Sequence, residues 1–548
     1  MYDLIVKNIK IYDGSGGEPF IADAGIKGER IEKIGSIMDG IASPLIKSEA
    51  RNDKLINGEG LCLSPGFVDI HSHSDYYLLI DPLAQSKVRQ GVTTEVGGNC
   101  GYSASPIFGS ALDERKKSYK EQFGLELNWT KLNGYNKKIE ENGISLNYCQ
   151  LIGHNTVRAS VAGVVDREPS PDEMKKMERI IEEAMDDGAV GMSVGFAYTP
   201  SCFAKKEEVA NLCKIVAKRG GIFTTHIRSE GRTLIESIEE VIDIARVSGV
   251  RLQISHLKTF GEENWGKLDE VFKLIESAIN EGIDIVCDRY PYTAANTGLQ
   301  AVLPDWVFDG GKEKAIERLK DYKTRDKIKT ELLKKYPSNS YWDSVMISQV
   351  VTDKNKETEG KSVKKGAEIF KKDVIDFLFD ILIEENLEVD AIYFSMSEDN
   401  MKRILKKDYV MIGSDSGARS TDGLLGLGLP HPRTFGTFPR VLGKYCRDEK
   451  LFDLPTAIYK MTSYPCKRIG IKDRGLIKEG YFADLVIFNP DTISDTATYE
   501  SPKNYPKGIE YVIINGKITV NNGNHTGAKA GRILIQNKNL MKPQINTD

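Results

Sequence analysis

Short apolar runs rich in valine and isoleucine recur through the middle of this chain, at residues 67–71, 93–98, 147–152, 189–194, 221–226, 251–256, 284–288 and 410–414. Between most of them lie amphipathic helical stretches, such as PDEMKKMERIIEEAMDD at 171–187 and the segment 206–219. Strands that are apolar on both faces and alternate with helices belong to a parallel sheet covered on both sides. Eight of them predict a closed TIM-like (β/α)8 barrel, an α/β fold. The spacing, about thirty residues for most of the series, suits successive β/α units.

The rhythm breaks once, where about 120 residues separate the seventh run from the eighth. That stretch reads as Lys-rich helices (311–336, then 371–386). An excursion at the carboxyl end of a barrel strand lies over the active site, so residues 300–390 are expected to form an inserted helical segment and a candidate lid. A solvated helical decoration is an equally open reading for its outer helices. Both chain ends have a different texture: short β runs at 3–13, 23–35 and 54–65, and again at 483–490, 508–523 and 531–536, separated by Gly, Asp and Asn turns. Neither end is large enough to close a sheet well alone. One small β-sandwich built from 1–62 and 475–548 is expected, with the barrel spanning 63–474.

Composition narrows the function little. A chain of 548 residues fits a barrel of about 250 residues with insertions plus a smaller module. A net charge of −4 gives no reason to expect nucleic acid or an anionic membrane as partner. No run is long and apolar enough to span a bilayer, and the N-terminus alternates like a strand rather than a signal peptide. The eight cysteines are unpatterned, and several (Cys149, Cys213, Cys287) sit inside apolar runs. Reduced thiols and a cytoplasmic location are therefore expected.

The chemistry lies at the ends of the runs. FVDIHSH carries His71 and His73, TTEVGGNC ends on Cys100, IFTTHI carries His226, LQISHLK carries His256, and VMIGSDS leads to Asp415. The chain has only seven histidines, and four fall in these places. Barrel active sites sit at the carboxyl ends of the strands. His71 and His73, two apart, would point to the same side. His-x-His alone is a weak signal, and a buried inert thiol is the ordinary fate of cysteine. Two glycines, Gly97 and Gly98, open a loop just before Cys100, which favours a ligand there. Imidazole, thiolate and carboxylate together suit Zn²⁺.

These residues carry a family resemblance. FVDIHSHSD and the strand-end histidines resemble the amidohydrolase superfamily. GVTTEVGGNCGYS (91–103), GHNTVR (153–158), GFAYTP (195–200), THIRSEG (225–231), ISHLK (254–258), DRYPYTA (288–294), HPRTFGTFPRVLGKY (431–445), KMTSYP (460–465) and ADLVIFNP (483–490) narrow it to the N-acyl-D-amino-acid deacylase (D-aminoacylase) family. The resemblance implies zinc-dependent hydrolysis of a linear amide to a carboxylate and a free D-amino acid, with an N-acyl amino acid as the small-molecule partner. It implies a tight zinc on Cys100, His226 and His256, and a second site, weak or empty, framed by His71, His73, Cys100 and Asp415. Asp415 would be the catalytic base and acid. Arg433 would grip the substrate α-carboxylate, helped by Tyr290 and Tyr198, with Lys258 close by. A guanidinium can bind a carboxylate through two parallel hydrogen bonds, which would fix the hand of the amino acid.

Some positions depart from the family pattern. The fourth run, GMSVGF, offers no bridging lysine of the kind many amidohydrolases carry. Ser416 and Asn296 stand where Gly and Ser are usual, and LQAVLPDWVF (299–308) lacks an early Arg or Lys, which points to an apolar substrate side chain. A cyclic-amide hydrolase like a hydantoinase or dihydroorotase shares barrel and metal, but the missing lysine and the HPRTFG segment argue against it. A catalytically inactive metal- or ligand-binding protein is disfavoured by the intact ligand set and base. A deaminase would need a glutamate acid beside the fifth-strand His, and Glu230 lies too far along. His154, at the end of the third run, could touch the site or make a structural hydrogen bond, and His431 would orient the Arg433 loop.

Overall fold

The computed structural model describes residues 2–37 and 54–536; the remainder of the expected terminal module lies outside the described residues. Eight parallel strands form the barrel: β1 (Phe67–Asp69), β2 (Val92–Gly97), β3 (Asn147–Gly153), β4 (Gly191–Gly195), β5 (Ile222–His226), β6 (Arg251–Ile254), β7 (Ile285–Arg289) and β8 (Val410–Ile412). They pair in chain order from β1 to β8. A parallel bridge between Ser72 and Ser416 joins the two ends. Nearly every strand residue is buried, as strands covered on both faces require. Ile70, Val96, Leu151, Ile222, Val286 and Met411, in or beside six of the strands, meet in one apolar cluster. Side chains from opposite walls can meet this way only inside a closed barrel.

The eight predicted runs all appear, with ends that differ by up to two residues. The amphipathic stretch after the third run forms the helix Pro171–Asp186. Its start follows from local chemistry: Pro171 has no amide to satisfy, and Ser170 and Glu173 exchange hydrogen bonds as a capping box. Met177, Ile181, Ala184 and Met185 repeat at helical spacing and bury its inner face.

Among the described residues, strands from the two chain ends meet in one nine-stranded sheet. Leu4–Ile11 pairs in parallel with Cys62–Pro65, which pairs antiparallel with Leu485–Phe488. Val6, Ile26, Leu63, Leu485 and Ile513 share its apolar core. The insertion between β7 and β8 differs from the purely helical expectation. It contains a three-stranded antiparallel sheet (Ala294–Gly298, Asp390–Phe394, Val345–Gln349) as well as helices, over a separate core that includes Leu299, Trp342, Phe377 and Leu378. In its first strand Thr297 Oγ1 donates to Tyr198 Oη, just beyond β4, at 3.2 Å.

Candidate metal centre

Most of the expected ligands stand just beyond the strands. His226 is the last residue of β5, whereas His71, Cys100, His256 and Asp415 follow β1, β2, β6 and β8 by two or three residues. Three of these have left-handed backbone: Cys100 (φ 52°), His256 (φ 37°) and Asp415 (φ 51°). Such conformations are unfavourable for non-glycine residues and gather at functional sites. The Cys100 loop is also tightly enclosed. A Cβ on Gly98 would lie 2.2 Å from Leu151 O, and one on Gly101 would lie 1.7 Å from Asn155 Oδ1. The glycines around Cys100 are thus required by space as well as by positive φ.

The loops bring distant parts of the chain together. Cys100 Sγ lies 3.3 Å from His71 Nε2 and 3.6 Å from His256 Nε2. Asp415 Oδ1 lies 3.4 Å from His71 Nε2 and 3.0 Å from His73 Nε2. One donor atom each from His71, Cys100, His256 and Asp415 fits within a mutual 4.8 Å. His226 stands beside this group: its ring centroid is 4.5 Å from that of His256, and its Nε2 is 3.8 Å from Glu230 Oε2. Its Nδ1 is buried with no hydrogen-bond partner among the described residues. A buried ring nitrogen without a partner beside a thiol, imidazoles and a carboxylate is a donor set that suits zinc.

Electrostatics favour charged ligands. Burial opposes ionisation of Cys100, but His71, His226 and His256 outweigh it and hold the thiol well below its usual range. Burial would likewise push Asp415 up, yet Arg433, His256, His71 and His73 hold its carboxyl well below the usual carboxylate range. In the metal-free chain the acidic neighbours act in reverse on the rings. Against burial, Asp288, Cys100 and Asp415 raise His71, and Asp415 and Cys100 bring His73 to about 9.

Residues without an assigned role in the sequence support these ligands. Asp288 Oδ1 lies 3.0 Å from His71 Nδ1 and accepts the backbone amide of His256 at 2.8 Å, so one carboxylate braces β1 and β6. Beneath the His71 and Asp415 loops lies a fully buried charge triad: Lys87 Nζ is 2.7 Å from Asp69 Oδ2 and 2.9 Å from Glu95 Oε1. Glu230 lies 2.9 Å from His256 Nδ1 and also contacts Lys258. Asp288 and Glu230 sit in motifs that the family resemblance already marks. Lys87, on a short helix between β1 and β2, carries no such signal.

The expected substrate residues line one side. Arg433 Nη1 is 3.0 Å from Asp415 Oδ2, and its guanidinium lies 4.5 Å from the Tyr290 ring. The Tyr290 hydroxyl is buried with no partner among the described residues. Tyr198 packs its ring 4.7 Å from that of His226. Asn296, doubtful in the sequence, reaches Arg433 only through its carbonyl, at 3.4 Å. His431 Nδ1 accepts the Arg433 amide at 3.0 Å and its Nε2 faces Ala294 O at 2.9 Å, so it does orient the arginine loop. His154 lies 2.6 Å from Ser201 Oγ and 3.0 Å from Glu208, which also binds Arg158; this is the structural alternative.

The amidohydrolase family model matches residues 54–300 and 380–520. D-aminoacylase of Alcaligenes xylosoxydans xylosoxydans is 35% identical over 98% of both chains. A solved D-aminoacylase with a binuclear metal centre, activated by one metal and attenuated by the second, superimposes with a TM-score of 0.80 at 32% identity, covering 98% of this chain and 100% of that one. An N-acyl-D-glutamate deacylase from Bordetella bronchiseptica, solved with zinc and a phosphonate mimic of the tetrahedral intermediate, gives a TM-score of 0.79 at 28% identity, covering 97% of this chain and 99% of that one. By a model match over most of its length and by full-length relatives at this identity, the chain belongs to the N-acyl-D-amino-acid deacylase (D-aminoacylase) family of the amidohydrolases.

Proposed function

We propose that this protein hydrolyses the amide bond of N-acyl-D-amino acids with the help of zinc, releasing a carboxylate and a free D-amino acid. Cys100, His226 and His256 hold the tight metal. His71, His73, Cys100 and Asp415 frame a second site that is weak or empty. The observation that carries the reading is the placement of Asp415, which stands among His71, Cys100 and His256 on one side and 3.0 Å from Arg433 on the other. Bound at the tight site, zinc would acidify a water and polarise the amide carbonyl.

The chain supplies positioning and proton transfer. Arg433 receives the α-carboxylate, with Tyr290 and Lys258 beside it. The carboxylate replaces Asp415 as partner of the guanidinium, which removes the largest of the attractions that hold Asp415 so weakly basic. Asp415 then takes the proton of the attacking water at its carboxylate and delivers it to the leaving nitrogen. Tyr198 faces the developing oxyanion. The 300–390 insertion acts as a lid, supported by its pairing at Asp390 with the strand Ala294–Gly298, whose Thr297 contacts Tyr198. The substrate side chain is apolar. The eight unpaired cysteines support a cytoplasmic setting.

The test is metal analysis of the purified protein together with assays on N-acetyl-D-methionine, its L enantiomer, N-acetyl-D-glutamate and a hydantoin. The expected result is zinc content near one per chain and turnover of the D-methionine derivative well above the rest. Turnover confined to the hydantoin would overturn the reaction class. Equal rates on both enantiomers would overturn the role of Arg433.

A further inference from the structure

We infer that Glu230 is a positioning residue that holds the zinc-binding ring of His256 with Nδ1 protonated and Nε2 free for the metal, against the pull of Lys258, and that stands opposite Nε2 of His226. The inference rests on the zinc reading given above and goes beyond it. Two observations on each ring carry it. Glu230 Oε1 lies 2.9 Å from His256 Nδ1, while the other nitrogen of that ring, Nε2, points at Cys100 Sγ at 3.6 Å. Glu230 Oε2 faces His226 Nε2 at 3.8 Å, while His226 Nδ1 is the buried nitrogen without a partner among the described residues. The carboxylate thus hydrogen-bonds His256 at Nδ1, which leaves Nε2 of that ring for a metal, and lies near His226 on its Nε2 side without bonding it.

Lys258 makes the carboxylate necessary. Its Nζ lies 2.8 Å from His256 Nδ1. If that ammonium donated to Nδ1, the proton of a neutral imidazole would move to Nε2, which could then bind no cation. Glu230 contacts both groups and resolves the conflict, because it accepts Nδ1–H from the ring and a proton of Lys258 at the same oxygen. The ring is held in the metal-binding tautomer, and the lysine is held beside the substrate pocket with two ammonium protons left over. Carboxylates that accept from a ligating histidine in this way both orient the ring and raise its basicity. The sequence hid this role because Glu230 is four residues past His226 on a loop, whereas the ring it touches more closely belongs to the next strand.

The test measures zinc affinity by competing zinc-loaded protein against a chelating dye. Glu230→Gln keeps the shape but places an amide NH₂ against one ring N–H, and should weaken zinc binding by about 10- to 100-fold. Lys258→Met should leave it within about threefold, since the carboxylate still meets the His256 ring. Affinity unchanged in Glu230→Gln, or lost equally in Lys258→Met, would overturn the inference. Nitrogen-15 histidine NMR of the zinc-loaded wild type needs no variant. It should show His256 protonated at Nδ1, and a proton at Nε2 of that ring instead would refute the assignment. Cobalt-substituted protein should show a thiolate band that Glu230→Gln leaves in place. Its replacement by the spectrum of a site that has lost a carboxylate ligand would make Glu230 a ligand and sink the positioning role. Absence of tight zinc from the wild type would fail the metal reading itself, a separate result.

Discussion

At the scale of single residues, Asp415 bears the heaviest load. Its two oxygens look in different directions, Oδ1 to His71 and His73 and Oδ2 to Arg433. Asparagine would preserve the shape but could not accept the proton of the attacking water. Asp415→Asn should lower kcat by about 10²- to 10⁴-fold, the usual worth of general acid–base catalysis. KM should move much less, and zinc content should stay near that of the wild type, because the tight site as proposed, Cys100 with His226 and His256, does not include this carboxylate. Parallel measurement of kcat, KM and bound zinc checks this, and zinc lost together with activity would assign Asp415 to the tight site instead. The donor cluster was legible because soft donors at the ends of apolar runs are rare. Their supports were not, because each depends on a pairing across the barrel: Asp288 with His71, Glu230 with His256, Lys87 with Asp69. No local pattern announces which carboxylate will meet which ring.

At the scale of elements, the barrel strands could be read because burial on both faces leaves them nearly continuous apolar runs. The three strands of the insertion could not. Ala294–Gly298 reads AANTG, with neither alternation nor β-branched apolar residues, and Val345–Gln349 lies among Lys-rich helices that set the local pattern. One helix carries a pH signature of its own. In Leu454–Met461, Lys460 Nζ is buried and donates to the carbonyls of Lys407 and Val410, which ties the helix to the start of β8. Burial pushes this ammonium down to about 8, against the opposing pull of Asp408. The folded state therefore holds fewer protons than the unfolded chain between about pH 8 and the ordinary lysine value near 10.4. Stability rises with pH wherever the unfolded state binds more protons. Relative to Lys460→Met, the wild type should gain up to about 3 kcal/mol across that window. Paired thermal unfolding at pH 7.5 and 10 measures the difference, and parallel responses of the two proteins would mean that Lys460 titrates as an exposed lysine does.

At the scale of the whole molecule, the barrel has one seam at which its first and last strands must find each other across more than 340 residues of chain, bridged at Ser72 and Ser416. The seam carries the His71, His73 and Asp415 loops, so its stability is also that of the site. Lys87 is its clasp. It reaches Asp69 at the end of β1, Glu95 on β2, and Ser414 and the Ser416 carbonyl beyond β8, all fully buried or nearly so. Burial and Asp69 push Glu95 up against the pull of Lys87, while Asp69 and Glu95 raise Lys87 despite its burial. One buried ammonium thus faces two buried carboxylates, of which Glu95 is the one pushed up. Removing one partner of a buried pair leaves a charge without compensation, at a cost of about 3–5 kcal/mol. Lys87→Met should lose that much, with little dependence on salt, because ions do not screen a buried pair. If Asp69 is the stranded charge, adding Asp69→Asn to Lys87→Met should recover more stability than adding Glu95→Gln. Denaturation of the four proteins at low and high salt tests the order. Equal recovery by both second substitutions would show that the two carboxylates share the charge, and an undiminished Lys87→Met would place the closure of the barrel in its backbone pairing alone.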